Sequence, residues 1–279
     1  MKNYIAIAFL LVGNLFAARS QNRGTELVNA EKAFAQLSID KNMQDAFLAN
    51  MNDTSVVEVN GKFVKGIPLY QQQKKDTAGK LYWSPVFAAV AASGDFGYTT
   101  GPWRYHTGGQ DVAFGNYASV WQKQKDGQWK FLIDLGNSFE QNSGSATDSV
   151  DMILPATITK PTAGNNDLMA IDQSFAAAIN KGSNSALKNY LHPQLRILWP
   201  ERMPAINKEN ADTLIHQNRL FSFHPQQAYI AASKDLGVVY GTCETSAAVK
   251  DKKVVHAVYM HVWRKDQNSH WQLLHETIK

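Results

Sequence analysis

The chain has 279 residues, of which 44% are hydrophobic and 19% charged, and this ordinary globular composition excludes a wholly disordered chain or a collagen-like fibre. Lys and Arg total 28 against 24 Asp and Glu, so the net charge of +4 is too small and too dispersed to predict nucleic-acid binding. The single cysteine, Cys243, excludes an intrachain disulfide and a cysteine-built metal site.

The N-terminus has the pattern of a secretory signal peptide over residues 1–20. Lys2 precedes the apolar run from Tyr4 to Val12, and the small residues that follow favour cleavage after Ser20. The run is too short to span a bilayer, which needs about 20 residues, and no later segment is long and apolar enough to do so. The sequence therefore predicts a soluble exported protein, periplasmic or secreted, with no membrane span once the signal is cleaved.

Residues 25–140 are predicted to form a first unit in which helices precede strands. Thr25 is expected to cap an amphipathic helix, and Asn60-Gly61 is a hairpin turn signal. The predicted helices lie near residues 25–40, 44–50 and 68–75. The predicted strands lie at 55–59, 82–92, 96–106, 112–123 and 129–135.

Residues 141–166 are rich in Ser, Thr, Gly, Asn and Pro and are predicted to be a linker. Its apolar patch Met152-Ile153-Leu154 is a candidate for attaching the linker to one of the units. Residues 167–279 form the predicted second unit, with the same order of elements. Its helices are predicted near 167–180, 184–191 and 208–220, and its strands near 227–233, 236–247, 253–264 and 270–278.

Internal repetition is the strongest signal in the sequence. Eight residues of segment 83–101 recur in segment 223–241 at a constant offset of 140 residues. The pattern Tyr-x3-Trp-x7-Trp that begins at Tyr117 recurs from Tyr259, and Phe34 matches Phe175. Three blocks in the same order at nearly equal offsets indicate a duplicated unit. Helices followed by a meander of long strands predict an α+β fold in each copy.

A family resemblance rests on four segments of the first unit: Ser93 to Trp103, Tyr117 to Trp121, Asp126 to Lys130, and Asp134-Leu135-Gly136. They resemble the nuclear transport factor 2-like superfamily, and within it a SnoaL-like branch of exported bacterial domains. The second unit resembles it more weakly. There Val238-Val239-Tyr240 replaces Tyr98-Thr99-Thr100, and Cys243 replaces Trp103.

This resemblance implies two tandem cone-shaped α+β rolls of the cystatin-like kind. Each would have N-terminal helices packed on a curved antiparallel sheet around a pocket, and the two units would pack as an intramolecular pseudo-dimer. It does not imply one activity, because the superfamily holds isomerases, dehydratases, cyclases, epoxide hydrolases and non-catalytic binding modules.

Asp134 is the leading catalytic candidate, because a carboxylate whose pKa is raised by burial can abstract a proton. Alternation along the strand places it on the face of Leu132, opposite Phe131 and Ile133. Tyr98 is the candidate hydroxyl that would polarise a carbonyl beside it. The alternative for Asp134 is an exposed or salt-bridged acid at a strand end.

Five further residues are candidates for the wall of a ligand pocket. Glu276 is the equivalent of Asp134 in the second unit, and Arg196 could meet an anionic ligand. The five candidates are Trp103, Trp83, Asp53, Glu276 and Arg196. Core packing and ordinary surface positions are the alternatives for them.

No cofactor and no metal are predicted. The chain has no Gly-x-Ser-x-Gly, no phosphate-binding Gly-x4-Gly-Lys and no HExxH motif. His256 and His261 are five residues apart on one strand, so they face opposite sides and cannot chelate one ion.

Two functions follow as hypotheses. The favoured one is binding of a small apolar or aromatic molecule in the cavity of the first unit, since no acid–base pair stands at a fixed spacing. The alternative is a cofactor-free lyase, isomerase or hydrolase of the SnoaL-like type that uses an Asp acid/base. Burial of Asp134 in a cavity beside a second polar group would favour catalysis.

Overall fold

The computed structural model describes residues 22–140, 149–155, 167–181, 187–217, 221–246 and 254–279. The predicted signal peptide lies outside these residues, as do most of the linker and residues 184–186 of the helix expected at 184–191. Of the rest of that expected helix, only 187–188 are helical, because a turn follows and a strand begins at Leu191. In the described part of the chain, no helix is both long and apolar enough to cross a membrane.

The first unit packs helices on one face of a curved sheet. Its helices are α1 (22–40), α2 (Met43–Asn50) and α3 (Gly66–Gln72). Its strands are β1 (Val56–Val59), β2 (Lys62–Lys65), β3 (Lys80–Trp83), β4 (Phe87–Val90), β5 (Phe96–Thr107), β6 (Gln110–Lys123), β7 (Trp129–Phe139) and β8 (Asp151–Ile153). The sheet order is β2-β1-β7-β6-β5-β4-β8, and β3 also pairs with β5.

The second unit repeats this arrangement. Its helices are α4 (Leu168–Asn180) and α5 (Lys208–Gln217). Its strands are β9 (Leu191–Leu198), β10 (Ala205–Ile206), β11 (Phe221–Ile230), β12 (Leu236–Ser246), β13 (Val254–Lys265) and β14 (Trp271–Ile278). They form a sheet in the order β10-β9-β14-β13-β12-β11. The predicted α+β fold class is therefore confirmed, whereas the boundaries 25–140 and 167–279 stay predictions.

Three local expectations need correction. The sheets are mixed rather than antiparallel, because β1 runs parallel to β7, β8 runs parallel to β4, and β9 runs parallel to β14. The strand predicted at 82–92 is divided into β3 and β4 around Pro85, which has no amide hydrogen to pair. Thr25 does not cap α1, since residue 22 is already helical.

Each unit has its own core between its helices and the inner face of its sheet. In the first unit this core contains Phe34, Trp121 and Phe131. In the second it contains Phe175 and Trp263. The repeated Phe and Trp residues found in the sequence are thus core positions.

A third cluster joins the outer faces of the two sheets. It contains Tyr98 and Ile133 of the first sheet together with Val238, Met260 and Leu274 of the second. Face-to-face packing of this kind buries the apolar side of both sheets at once.

Reciprocal hydrogen bonds connect the equivalent β4–β5 and β11–β12 turns. The Ser93 amide donates to Ser233 Oγ at 3.0 Å, and the Ser233 amide donates to Ser93 Oγ at 3.2 Å. Asp235 accepts from the amide that precedes Ser93, and Asp95 accepts from the amide that precedes Ser233. Such exchange of identical contacts is the pattern of a two-fold interface.

The apolar patch of the linker is attached as expected. Strand β8 pairs in parallel with β4, with Met152 opposite Ala88. Arg264 of the second sheet donates a hydrogen bond to the Leu154 carbonyl. The linker thus contacts both units.

Candidate functional site

A cavity of about 210 Å³ lies in the first unit, between its helices and the inner face of its sheet. Its apolar wall is formed by Phe34, Phe47, Leu81, Trp83 and Trp103. Its other lining residues are Tyr117, Asp134, Gly136 and Lys279. Pockets for drug-sized ligands hold roughly 300–1,000 Å³, so this cavity suits a more compact molecule.

Gly136 makes room for one aromatic wall of this cavity. A β-carbon at Gly136 would lie 3.3 Å from Trp103 Nε1, which is tighter than ordinary packing. The absence of a side chain at Gly136 therefore lets the Trp103 indole lie close to β7, which gives a steric explanation for glycine at this position.

A β-bulge in β7 turns Asp134 into the cavity. Val120 of β6 pairs with Ile133, but the next residue, Trp121, pairs with Phe131, so Leu132 is the extra residue. The alternation changes phase there, and Asp134 shares the inner face with Phe131. The predicted grouping of Asp134 with Leu132, opposite Phe131, is therefore wrong.

The environment of Asp134 makes its carboxylate more basic than usual. Desolvation raises its pKa to about 6, while the Ser119 hydrogen bond and the Lys279 ammonium lower the pKa and offset this only in part. Ser119 Oγ donates to Asp134 Oδ2 at 2.6 Å and thereby orients the carboxylate. At neutral pH Asp134 is mostly ionised and can accept a proton.

Tyr117 brings a hydroxyl without an internal partner to the same cavity. Only 5% of the residue is exposed, and its hydroxyl has no hydrogen-bond partner among the described residues. The neighbouring Thr99 hydroxyl donates to Glu31 instead. Burial, with the charges of Glu31 and Asp134, raises the pKa of Tyr117 well above its usual value, so the hydroxyl keeps its proton. A buried polar group left unpaired costs about 1–3 kcal/mol.

Glu31 of α1 is a buried carboxyl that sequence reasoning missed. It accepts hydrogen bonds from Trp83 Nε1 at 2.6 Å, Thr99 Oγ1 at 2.5 Å and Trp121 Nε1 at 3.0 Å. Burial raises its pKa to about 7, and the charge of Asp134 adds to this. The bond to Trp83 positions an aromatic wall of the cavity.

The equivalent residues of the second unit form a closed network. Asp172 accepts from Tyr259 Oη at 2.7 Å and Trp263 Nε1 at 2.9 Å, and lies 2.7 Å from His261 Nδ1. His261 Nε2 lies 2.7 Å from Glu276 Oε2. Burial alone lowers the pKa of His261, but Asp172 and Glu276 outweigh it and raise the pKa to about 9.

Substitutions at three positions accompany the difference, since the first unit also has Glu31 where the second has Asp172, and Asp134 where the second has Glu276. Ser119 stands where the second unit has His261, and a serine is too short to bridge two carboxylates. Tyr259 donates to Asp172, whereas Tyr117 is left without a partner. Tyr117 and Asp134 of the first unit thus line a cavity, whereas Asp172, His261 and Glu276 of the second unit contact one another.

Two of the predicted pocket residues, Trp83 and Trp103, line this cavity together with Asp134. Tyr98 does not. It is fully buried on the opposite face of its strand, and its hydroxyl lies 2.6 Å from Nδ1 of His275 in the second unit. Tyr98 therefore does not supply a hydroxyl to this cavity, and the tyrosine that lines it is Tyr117, which the sequence marked only as part of the repeat.

Three other predicted pocket residues also lie elsewhere. Asp53 is exposed in the turn after α2, where its carbonyl accepts from Lys65 Nζ at 2.8 Å. Glu276 is buried inside the second unit. The Arg196 guanidinium packs 4.3 Å from the ring centroid of Phe87, between the two units.

The structure shows no grouping of three or more His, Cys, Asp or Glu side chains that could hold a metal ion within its described ranges.

Two fifths of this chain are similar in fold to nuclear transport factor 2-like proteins. One such protein from Cytophaga hutchinsonii is 17% identical over 42% of this chain and 98% of its own length, with a TM-score of 0.35. A ketosteroid isomerase-like protein from Erwinia carotovora atroseptica is 16% identical over 39% of this chain and 90% of its own, with a TM-score of 0.33. A third, of unknown function, from Pseudomonas putida, is 11% identical over 43% of this chain and 88% of its own, with a TM-score of 0.35.

These likenesses concern the fold alone. No protein-family model matches the sequence, and no curated protein matches it.

Proposed function

We propose that the cavity of the first unit is the active site of a cofactor-free enzyme that moves a proton on a compact apolar or aromatic carbonyl compound. The observation that carries this proposal is that the Asp134 carboxyl, with its raised pKa, and the Tyr117 side chain line one aromatic cavity. The reaction class is isomerisation or elimination.

Asp134 acts as the base in this scheme. Its carboxylate takes a proton from the carbon next to the substrate carbonyl, and the electron pair of that C–H bond forms an enolate. The Tyr117 hydroxyl donates to the enolate oxygen, where negative charge develops. The protonated Asp134 then returns the proton to another carbon in an isomerisation. In an elimination the enolate electrons form a C=C bond as the bond from the neighbouring carbon to the leaving group breaks, and Asp134 gives its proton to that group.

The base is tested by deuterium exchange. In deuterium oxide, wild-type protein is expected to catalyse exchange of the acidic hydrogens of compact ketones such as β-tetralone and indanone. Proton NMR measures the exchange as loss of the signals of those hydrogens. Asp134→Asn is expected to lower the exchange rate by about a hundredfold or more, since general-base catalysis contributes on the order of 10²–10⁴.

Asp53→Asn is the matched control, because Asp53 is an exposed acid of the same unit outside the cavity. It is expected to leave the exchange rate unchanged. A rate that survives Asp134→Asn would contradict the proposed role of Asp134.

Binding of a small aromatic molecule without chemistry is the second candidate, supported by the Trp83 and Trp103 walls. It is favoured if wild-type protein catalyses no exchange but retains a small molecule in native mass spectra that is lost on denaturation.

We also propose that residues 1–20 direct export to the periplasm or the medium. The apolar run after Lys2 supports this. The mature protein is then expected to begin at Gln21, and an intact N-terminal mass in the exported fraction would contradict cleavage after Ser20.

A further inference from the structure

The interface between the two sheets is polar on one half and apolar on the equivalent half. The Tyr98 hydroxyl of the first sheet lies 2.6 Å from His275 Nδ1 of the second, and both residues are fully buried. The repeat makes Val238 the equivalent of Tyr98 and Ile133 the equivalent of His275. Val238 and Ile133 belong to the same buried cluster. A hydrogen-bonded pair therefore crosses the interface at one position, whereas the residues at the position related by the two-fold arrangement are both apolar.

A cation–π contact shows the same asymmetry. The Arg196 guanidinium of the second unit packs 4.3 Å from the ring centroid of Phe87 in the first. The strand pairings make Val56 the equivalent of Arg196, and the repeat makes Gln227 the equivalent of Phe87. The first unit thus supplies the ring and the second the cation, and neither unit carries both.

The charges at the edge of the interface have a direction as well. Lys279 Nζ of the second unit lies 3.8 Å from Glu58 Oε2 of the first. The equivalent residues are Asn137 and Leu198, where the Asn137 amide donates to the Leu198 carbonyl at 3.0 Å. A partly exposed ion pair of this kind contributes little stability, but its acid comes from the first unit and its cation from the second.

Pairs of like units would lose these contacts. Two first units joined in the same two-fold arrangement would place Tyr98 against Ile133, and the hydroxyl would be buried without its acceptor. Two second units would place His275 against Val238, and Arg196 would lose its aromatic ring. A buried polar group without a partner costs more than its hydrogen bond contributes, so the mismatch acts mainly against the wrong pairs.

We propose that Tyr98, His275 and Arg196 make the outer face of the first sheet selective for the second unit over another copy of itself. The remaining interface is apolar and would tolerate either partner. Two chains joined through their first units would each leave a second unit free to bind a further chain, and such contacts build open-ended assemblies. The asymmetric contacts therefore close the interface within one chain.

The test lets the two units choose their partners. A protease site is introduced between residues 156 and 166 of the predicted linker, and the folded full chain is cut there. The cut protein is unfolded in urea and refolded, and native mass spectrometry then separates mixed pairs from like pairs by mass. Wild-type protein is expected to form mixed pairs in about tenfold or greater excess over random pairing, because each like pair buries unmatched polar groups.

Tyr98→Phe removes the hydroxyl and keeps the ring. A pair of first units then no longer buries an unmatched group, so this variant is expected to lose most of the excess of mixed pairs. Tyr240→Phe is the matched control, because Tyr240 lies in the same cluster and its hydroxyl interacts with Tyr229 of its own sheet. It is expected to leave the excess unchanged.

Random pairing of wild-type units, units that stay single, or an excess that survives Tyr98→Phe would overturn the proposal. The uncut chain provides a second measurement that needs no reassembly. There Tyr98→Phe leaves His275 without its partner and is expected to lower the urea midpoint of unfolding more than Tyr240→Phe does. Equal midpoints for the two variants would also overturn the role of the Tyr98–His275 contact.

Discussion

Replacing His261 by alanine is expected to lower the free energy of unfolding by about 3–5 kcal/mol, the usual cost of breaking a buried ion pair. The imidazole lies between the carboxylates of Asp172 and Glu276, and at most 1% of each of the three residues is exposed. Without it two buried carboxyls remain uncompensated. Urea denaturation followed by tryptophan fluorescence measures the loss.

The pH dependence of this effect has a defined sign. The pKa of His261 rises from 6.5 to about 9 on folding, so its charged form contributes fully below pH 6.5 and the contribution is lost as the pH rises through about 9. His261→Ala is expected to remove that decline.

Ser119→Ala is the matched control, because Ser119 occupies the equivalent position in the first unit. It removes one hydrogen bond to Asp134, and a loss of about 1 kcal/mol is expected. Equal losses for the two variants would show that the second network is no more stabilising than the first.

Replacing Val238 by aspartate is expected to destabilise the protein by about 4 kcal/mol, because it places an unpaired carboxylate between the two sheets. Val238 is fully buried in the cluster that contains Tyr98 and Ile133 of the first sheet. Calorimetry and circular dichroism would record the loss as a lower midpoint of unfolding.

Val112→Asp is the control of identical chemistry. Val112 lies on β6 and is 50% exposed, so a change within about 0.5 kcal/mol is expected. If Val238→Asp is as stable as Val112→Asp, the two outer sheet faces do not pack against each other in solution.

The fold class and most elements could be predicted because the same sequence pattern occurs in both units, so that an element assigned in one unit supports the assignment of its equivalent in the other. Period-2 alternation and the turn residues indicate the long strands. The Asn60-Gly61 signal is confirmed by positive φ angles of 51° and 73° at the β1–β2 turn. The mixed character of the sheets was missed, since pairing between distant strands leaves no local signal.

The candidate site was predicted in part. Asp134, Trp83 and Trp103 line the cavity, but the face of Asp134 could not be derived, because the bulge at Leu132 inverts the alternation and has no glycine to mark it. Tyr98 was chosen from its place in a family-like segment, and its strand face directs it to His275 instead.

The buried acids of the helices were missed for a different reason. Glu31 precedes Phe34 by one turn, as Asp172 precedes Phe175, so the repeat carried the signal. Burying a carboxyl group on the apolar face of a helix is costly unless hydrogen-bond donors such as indole N–H and hydroxyl groups pair with it. Here those donors come from strands that are distant in the sequence. Only the folded chain brings Thr99 and Trp121 to Glu31.

Differences between the copies indicate that the two units have different roles. In the second unit Cys243 replaces the Trp103 wall and is buried in the core. His261 there replaces Ser119 and ties two carboxyls together. We infer that the second unit stabilises the assembly, while the chemistry proposed above would belong to the first.

A carbon NMR titration of protein labelled at its aspartate carboxyls tests most directly whether Asp134 of the first unit has the raised pKa of a general base. Asp134→Asn assigns the resonance. Desolvation in the cavity predicts a midpoint of about 6 for Asp134, above its usual 3.8. A midpoint near 3.8 would contradict the account, because it would describe a fully solvated carboxylate with no advantage as a base at neutral pH.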